Sequence, residues 1–115
     1  MSSRASLRAG PRATAYSSSK GALNALTRSV AVDYAQHGVR CNTIAPGFVV
    51  GKEKVPELDA RVTETFAKQH LTRLPTVDDV AWAAVYLASH ESDAVTGVIL
   101  PVDGGGTSAR AATIG

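Results

Sequence analysis

Cysteine, methionine and tryptophan occur once each in the 115 residues, and aromatic residues make up only 5% of them. With Cys41 alone, no internal disulfide can form, and the absence of any CxxC or Cys/His spacing excludes a thiolate zinc site. A reducing cytoplasm is the expected compartment. The longest apolar run, Ala81 to Ala88, falls far short of the roughly 18 residues that a membrane-spanning helix needs, so no membrane partner is expected. Met1 to Arg12 contains three arginines and no apolar stretch, which does not fit a signal peptide. An excess of one charge is also missing: 12 Lys and Arg are scattered among 10 Asp and Glu, for a net +2, and nucleic acid is not an expected partner.

What is present has the balance of a folded soluble domain, with 44% hydrophobic and 19% charged residues. The length suits one domain and excludes two. Met1 to Arg12 is rich in Ser, Arg and Gly and reads as a loop. From Thr14 to Gln36 no proline intervenes, and Leu23, Leu26, Val30 and Tyr34 recur at helical steps on one face. His37-Gly38 is the stop. Val39 to Ala45 reads as a mostly buried strand running into the Pro46-Gly47 turn. Phe48 to Leu58 lacks a pattern and reads as a loop or flap. Asp59 to His70 predicts a short amphipathic helix with Val62 and Phe66 on its apolar side. Thr76, followed three residues later by Asp79, has the form of a capping box before a helix from Val77 to Ser89. Val98 to Val102 predicts a last strand, in which Pro101 must sit at the end or on the non-bonded side. The tail from Gly104 onward is expected to be mobile.

This order alternates like a parallel α/β sheet but supplies only two whole strands. A doubly wound nucleotide-binding sheet contains two βαβαβ halves, and one half fits this length.

Tyr16 and Lys20 are four apart at the start of the first long helix, hence on one face and one turn from each other. A free tyrosine ionises near pH 10, and an ammonium held close to it favours the phenolate, which suits the pair to proton transfer near neutrality. A hydroxyl such as that of Ser3 would complete such a site by hydrogen-bonding a substrate carbonyl. Taken alone, a Tyr-x-x-x-Lys spacing is a weak signal, since about 0.1 such pairs arise by chance in a chain of this composition.

The surroundings of the pair are more specific. Ala15 to Gly47 (AYSSSKGALNALTRSVAVDYAQHGVRCNTIAPG) resembles the catalytic helix and following strand of the short-chain dehydrogenase/reductase family. Arg73 to Ser89 resembles that family's next helix, Thr96 to Gly105 its closing strand, and MSSRASLRAGPRATAY the segment that carries its catalytic serine. The resemblance covers nearly the whole chain in the family's order. It implies an α/β fold that is the C-terminal part of a Rossmann-like doubly wound parallel sheet, with residues 1–115 a partial domain. It also implies an NAD(P)-dependent interconversion of alcohol and ketone. Tyr16 would be the general acid/base, and Lys20 would tune it and hydrogen-bond the nicotinamide ribose. Ser3 would orient a small-molecule carbonyl substrate, and Pro46, Gly47, Phe48 and Val49 would lie along the nicotinamide of NAD or NADP. Gly51 departs from the threonine often found at its position in the family. In the family, the glycine-rich pyrophosphate turn, the residue that selects NAD from NADP and a catalytic asparagine lie upstream of the serine. The expectation is therefore that their half of the fold is missing and that the isolated chain has little activity. The full-length form is expected to be a homo-oligomer.

Gly104-Gly105-Gly106-Thr107-Ser108-Ala109 matches G-x-G-x-x-A in letters, but too few residues follow for the helix that the fingerprint requires. Trp82 and Tyr86 are expected in the core or a subunit interface. His37, His70 and His90 are expected to be solvated or to cap helices. Cys41 is expected to be small and buried within a strand, and Asn42 to satisfy buried backbone groups. The alternative to an enzyme fragment is a non-catalytic module that associates through its helices.

Overall fold

The computed structural model describes residues 1–50 and 60–108. Strand β1 (Thr43–Pro46) pairs in parallel with β2 (Ile99–Val102), in the register Thr43 opposite Ile99. Between them run helices α2 (Ala60–Ala67) and α3 (Val77–Ala88), and α1 (Thr14–Tyr34) precedes β1. A helical connection between parallel strands is the signature of an α/β sheet.

The opening segment is more ordered than a loop. Ser2 donates its N–H to Ile44 O at 2.8 Å, which lays Met1 and Ser2 along the free edge of β1, and Arg4–Ser6 then forms a 3-10 turn. Helix α1 ends at Tyr34 and not at Gln36; the last residues tighten into a 3-10 turn, and Gly38 (φ 72°) supplies the left-handed stop. The row that α1 buries is Asn24, Thr27 and Ala31, whereas Leu26 and Tyr34 of the expected apolar face lie exposed. The buried row is small, and its polar members are bonded locally: Asn24 Nδ2 donates to Ser6 Oγ and Thr27 Oγ1 to Leu23 O.

Strand β1 begins at Thr43, four residues later than its sequence predicts. Val39 to Asn42 finds its partners outside a ladder. Cys41 N–H donates to Thr96 Oγ1, and Asn42 bridges Val95 O and Val98 N with its side-chain amide. Asn42 thus satisfies backbone groups as expected, while Cys41 lies outside the strand and only half-buried. Thr43 and Gly47 donate to Val98 O and Val102 O, so alternate residues of β2 face β1 and Pro101 turns its missing N–H to the other side.

Helix α3 is the element most fully dictated locally. Thr76 accepts from Asp79 N–H and Asp79 reaches back to the Thr76 backbone, which satisfies two orphan donors at once. Arg73 adds a second contact, with Nη2 2.8 Å from Asp79 Oδ1. That guanidinium, with the Thr76 N–H second, holds the Asp79 carboxyl far below the usual carboxylate range. At the other end of α3, Arg40 donates to the carbonyls of Leu87, Ser89 and Val95 and to the fully buried Ser92. Trp82 and Tyr86 are not core residues: Trp82 is 71% exposed, because α3 turns that side away from the sheet.

Candidate functional site

The site is organised by the carboxyl ends of the two strands and the start of α1. Met1, Ser2 and Lys20 form a reciprocal clamp. Ser2 Oγ donates to Lys20 O at 3.0 Å, and Lys20 Nζ donates to Met1 O at 3.3 Å. This clamp fixes the residue before Ser3 to the second turn of α1. Lys20 Nζ stands 5.7 Å from the centroid of the Tyr16 ring, within reach of a cation–π contact, so the structure brings the two residues of the pair onto one face. Tyr16 is 52% exposed and open to a ligand.

Ser3 opens a half-enclosed cleft of about 390 Å³ whose walls include Pro46, Gly47, Phe48, Phe66 and Gln69. Its hydroxyl accepts from Ala5 N–H at 3.1 Å, which leaves the hydroxyl proton for another acceptor. Of the turn residues expected beside a nicotinamide, Pro46, Gly47 and Phe48 line the cleft. Val49 is half-buried and does not, and neither Tyr16 nor Lys20 lines it. Gly51 lies outside the described residues.

Sequence reasoning missed two features of this region. Phe48 stacks on Phe66 with ring centroids 4.1 Å apart and planes within 5°, which pins the turn to α2. His70 is 7% exposed, so of the two roles expected for it, solvated or helix-capping, it takes the capping one. Its ring is wedged where the strands end: a Cβ on Gly47 would sit 2.9 Å from Nε2, and one on Gly104 3.2 Å from the ring. Nδ1 lies 2.7 Å from Phe66 O, so Nδ1–H donates and caps the end of α2, while the buried Nε2 has no partner among the described residues. His90 and His37 are exposed, and His90 pairs with Asp93 at 3.5 Å.

The glycine-rich turn after β2 is not the mobile tail that its composition suggests. Asp103 is buried and its carboxylate accepts from Gly105 N–H, from Thr107 N–H and from the Thr107 hydroxyl. Gly104 O in turn accepts from Leu71 and Thr72. The amides that would hold a phosphate in a dinucleotide fingerprint are thus occupied by the chain's own carboxylate. Residues 109–115 lie outside the described residues.

The Tyr16 phenol and the Lys20 ammonium stand together outside the lining of the cleft, while the Ser3 hydroxyl and the backbone of the Pro46-Gly47 turn line it and suit the nicotinamide end of a dinucleotide. For its pyrophosphate, the described residues offer no free glycine-rich turn at a helix start. Among them there is also no helix long and apolar enough to cross a membrane.

Residues 1–107 match a family model described as enoyl-(acyl carrier protein) reductase. The chain is 43% identical over 96 residues to dehydrogenase/reductase SDR family member 6 of Danio rerio, covering 78% of this chain and 39% of the relative. It is 38% identical over 107 residues to a protein of Xanthobacter autotrophicus named inactive 2-(S)-hydroxypropyl-CoM dehydrogenase 2, covering 85% of this chain and 45% of the relative. Among solved structures, a gluconate 5-dehydrogenase from Burkholderia cenocepacia, in complex with NADP and tartrate, superimposes with a TM-score of 0.84 at 38% identity. That likeness covers 94% of this chain and 43% of the other. The chain therefore spans less than half the length of these relatives. With the family model matched over residues 1–107 and the α/β parallel fold shared with those structures, the chain belongs to the short-chain dehydrogenase/reductase family.

Proposed function

We propose that this chain carries the proton-transfer and substrate side of an NAD(P)-dependent oxidoreductase that interconverts an alcohol and a ketone. The observation that carries the proposal is the clamp that places the Lys20 ammonium over the Tyr16 ring while the adjoining Ser3 opens into the cleft beside Pro46-Gly47-Phe48. When bound, the nicotinamide supplies the hydride for the carbonyl carbon in reduction and takes it back in oxidation. Ser3 donates its O–H to the carbonyl oxygen and fixes its position. Tyr16 gives its phenolic proton to that oxygen as the C–O double bond becomes single, so the product is a neutral alcohol. Lys20 stands beside the phenolate that results. In oxidation the phenolate takes the hydroxyl proton back.

Lys20 and the turn backbone of residues 46–49 would hold the nicotinamide end of NAD or NADP. The isolated chain is expected to bind either cofactor weakly, because its described residues offer no free glycine-rich turn at a helix start to hold the pyrophosphate. Titration with NADH and NADPH, followed by nicotinamide fluorescence, checks this; micromolar binding by the chain alone contradicts it. Turnover is expected where residues 1–107 replace the matching part of the Burkholderia enzyme and so regain a pyrophosphate site.

A second reading is a non-catalytic module that associates through its helices. Leu26, Val32, Trp82 and Val85, all more than half exposed, favour it, as does a relative named as inactive. Analytical ultracentrifugation separates the two: a stable homodimer with no turnover in the chimera supports the module. Homo-oligomerisation of the full-length form and a cytoplasmic location are part of the first proposal too.

A further inference from the structure

We infer that the cleft beside Ser3 takes a carboxylate-bearing alcohol or ketone, gripped at its anionic end by Arg4. For the alcohol or ketone the inference rests on the oxidoreductase reading above; for the carboxylate it rests on the charges of the cleft. Among the described residues that line it, the charged side chains are Arg4 and Arg8, both cationic. Arg4 follows Ser3 directly, so the two residues line the same cleft from one turn.

The guanidinium is fixed without being neutralised. Arg4 Nη2 donates to Gln69 Oε1 at 3.0 Å, and Nη1 lies against Gly106, where a Cβ would stand 3.1 Å away. Gln69 is uncharged, and no carboxylate pairs with Arg4 among the described residues. Five N–H donors in one plane match the two oxygens of a carboxylate, and a pre-positioned fork loses little freedom on binding. Arg8 is held nearby, with Nη1 2.9 Å from Gly106 O. The stacked Phe48–Phe66 pair lines the same cleft and gives it an apolar wall, next to which a charge pair is stronger than in open water. At about 390 Å³ the cleft is near the small end of ligand sites, which suits a short acid better than a long chain.

The test is a titration of the 115-residue chain with malate and with the butanetriol in which both malate carboxyls are reduced to alcohols, read by the amide NMR shifts of Ser3, Gly47 and Gln69. Malate is expected to bind about tenfold more tightly or better, the order of one charge-assisted bond. Arg4→Gln should abolish the difference, and Arg4→Lys, which keeps the charge but not the fork, should leave part of it. Malate should also protect Arg4 from phenylglyoxal, scored by mass spectrometry, a readout that does not depend on either variant folding. Equal affinity for the two compounds, no saturable malate binding, a malate preference that survives Arg4→Gln, or inorganic phosphate binding as well as malate would each overturn the inference. No nicotinamide enters this titration. Malate selectivity in a chain whose chimera never turns over would therefore sink the oxidoreductase reading and leave the carboxylate site standing, and an active chimera without malate selectivity would do the reverse.

Discussion

The carboxyl ends of β1 and β2 are packed in the opposite way to the outer faces of α1 and α3. Where the strands end, Gly47 and Gly104 approach His70 and neighbouring backbone so closely that neither has room for a methyl group. On the helices, Val32 is 77% exposed and Trp82 71%, and nothing among the described residues covers them. Among the described residues the buried apolar side chains are Ala31, Ile44 and Ala45, too few to explain the order at the strand ends by hydrophobic burial alone. That order comes from hydrogen bonds and close backbone contact: Asp103 to its own turn, His70 to Phe66, Ser2 to Ile44 and Lys20. Catalytic groups need fixed positions more than they need a greasy surround, and this chain is closely packed at Gly47, which lines the cleft that Ser3 opens.

The sharpest way to break the contrast is to add one carbon at the strand ends. Gly47→Ala places a Cβ 2.9 Å from the Asp103 Cα, which is backbone and cannot turn aside, and is expected to cost about 1–3 kcal/mol. Thermal unfolding checks this, and combining it with His70→Ala should recover only part, since the backbone clash remains. A Gly47→Ala chain as stable as the parent would contradict the close packing.

Thr76→Ala removes the cap of α3 and should cost about 0.5–2 kcal/mol, read by urea unfolding. The effect should be confined to α3 and leave ligand binding near Ser3 unchanged, which amide exchange resolves.

The capping carboxylate predicts an acid limb. Arg73 and the Thr76 N–H depress the folded Asp79 carboxyl below its unfolded value, so the stability it contributes is present above the ordinary carboxylate range and is lost as the pH falls below it. Asp79→Asn should flatten that part of the stability–pH curve, and added salt should weaken it, because Arg73 is largely exposed.

The smallest expected effect sharpens the other side of the comparison. Trp82→Ser on the exposed face of α3 should change monomer stability by no more than about 0.5 kcal/mol while reducing self-association, read by sedimentation. A loss as large as that for Gly47→Ala would mean that Trp82 is part of the core.

The sequence makes legible what is decided within one turn. The α3 cap rests on residues three apart, and the Tyr16–Lys20 pair on residues four apart, so both are found where they are expected. The ends of β1 were less legible, because Val39 to Asn42 is β-branched enough to read as strand yet bonds to side chains. His70 was illegible: its burial depends on two glycines, 23 and 34 positions away, that meet it only after the strands pair. Phe48 and Phe66 likewise meet across an unpatterned stretch. The Asp103 turn had a local signal, an acid just before three glycines and a threonine, but glycine content alone reads as mobility.

The central claim is that Tyr16, with Lys20 over its ring, delivers a proton beside a nicotinamide. Single-turnover hydride transfer in the chimera with the Burkholderia enzyme, comparing the parent with Tyr16→Phe, tests it most directly. The account predicts that NADPH still binds while the transfer rate falls by roughly 10²–10⁴-fold, the usual contribution of a positioned acid/base. An unchanged rate in Tyr16→Phe would contradict it.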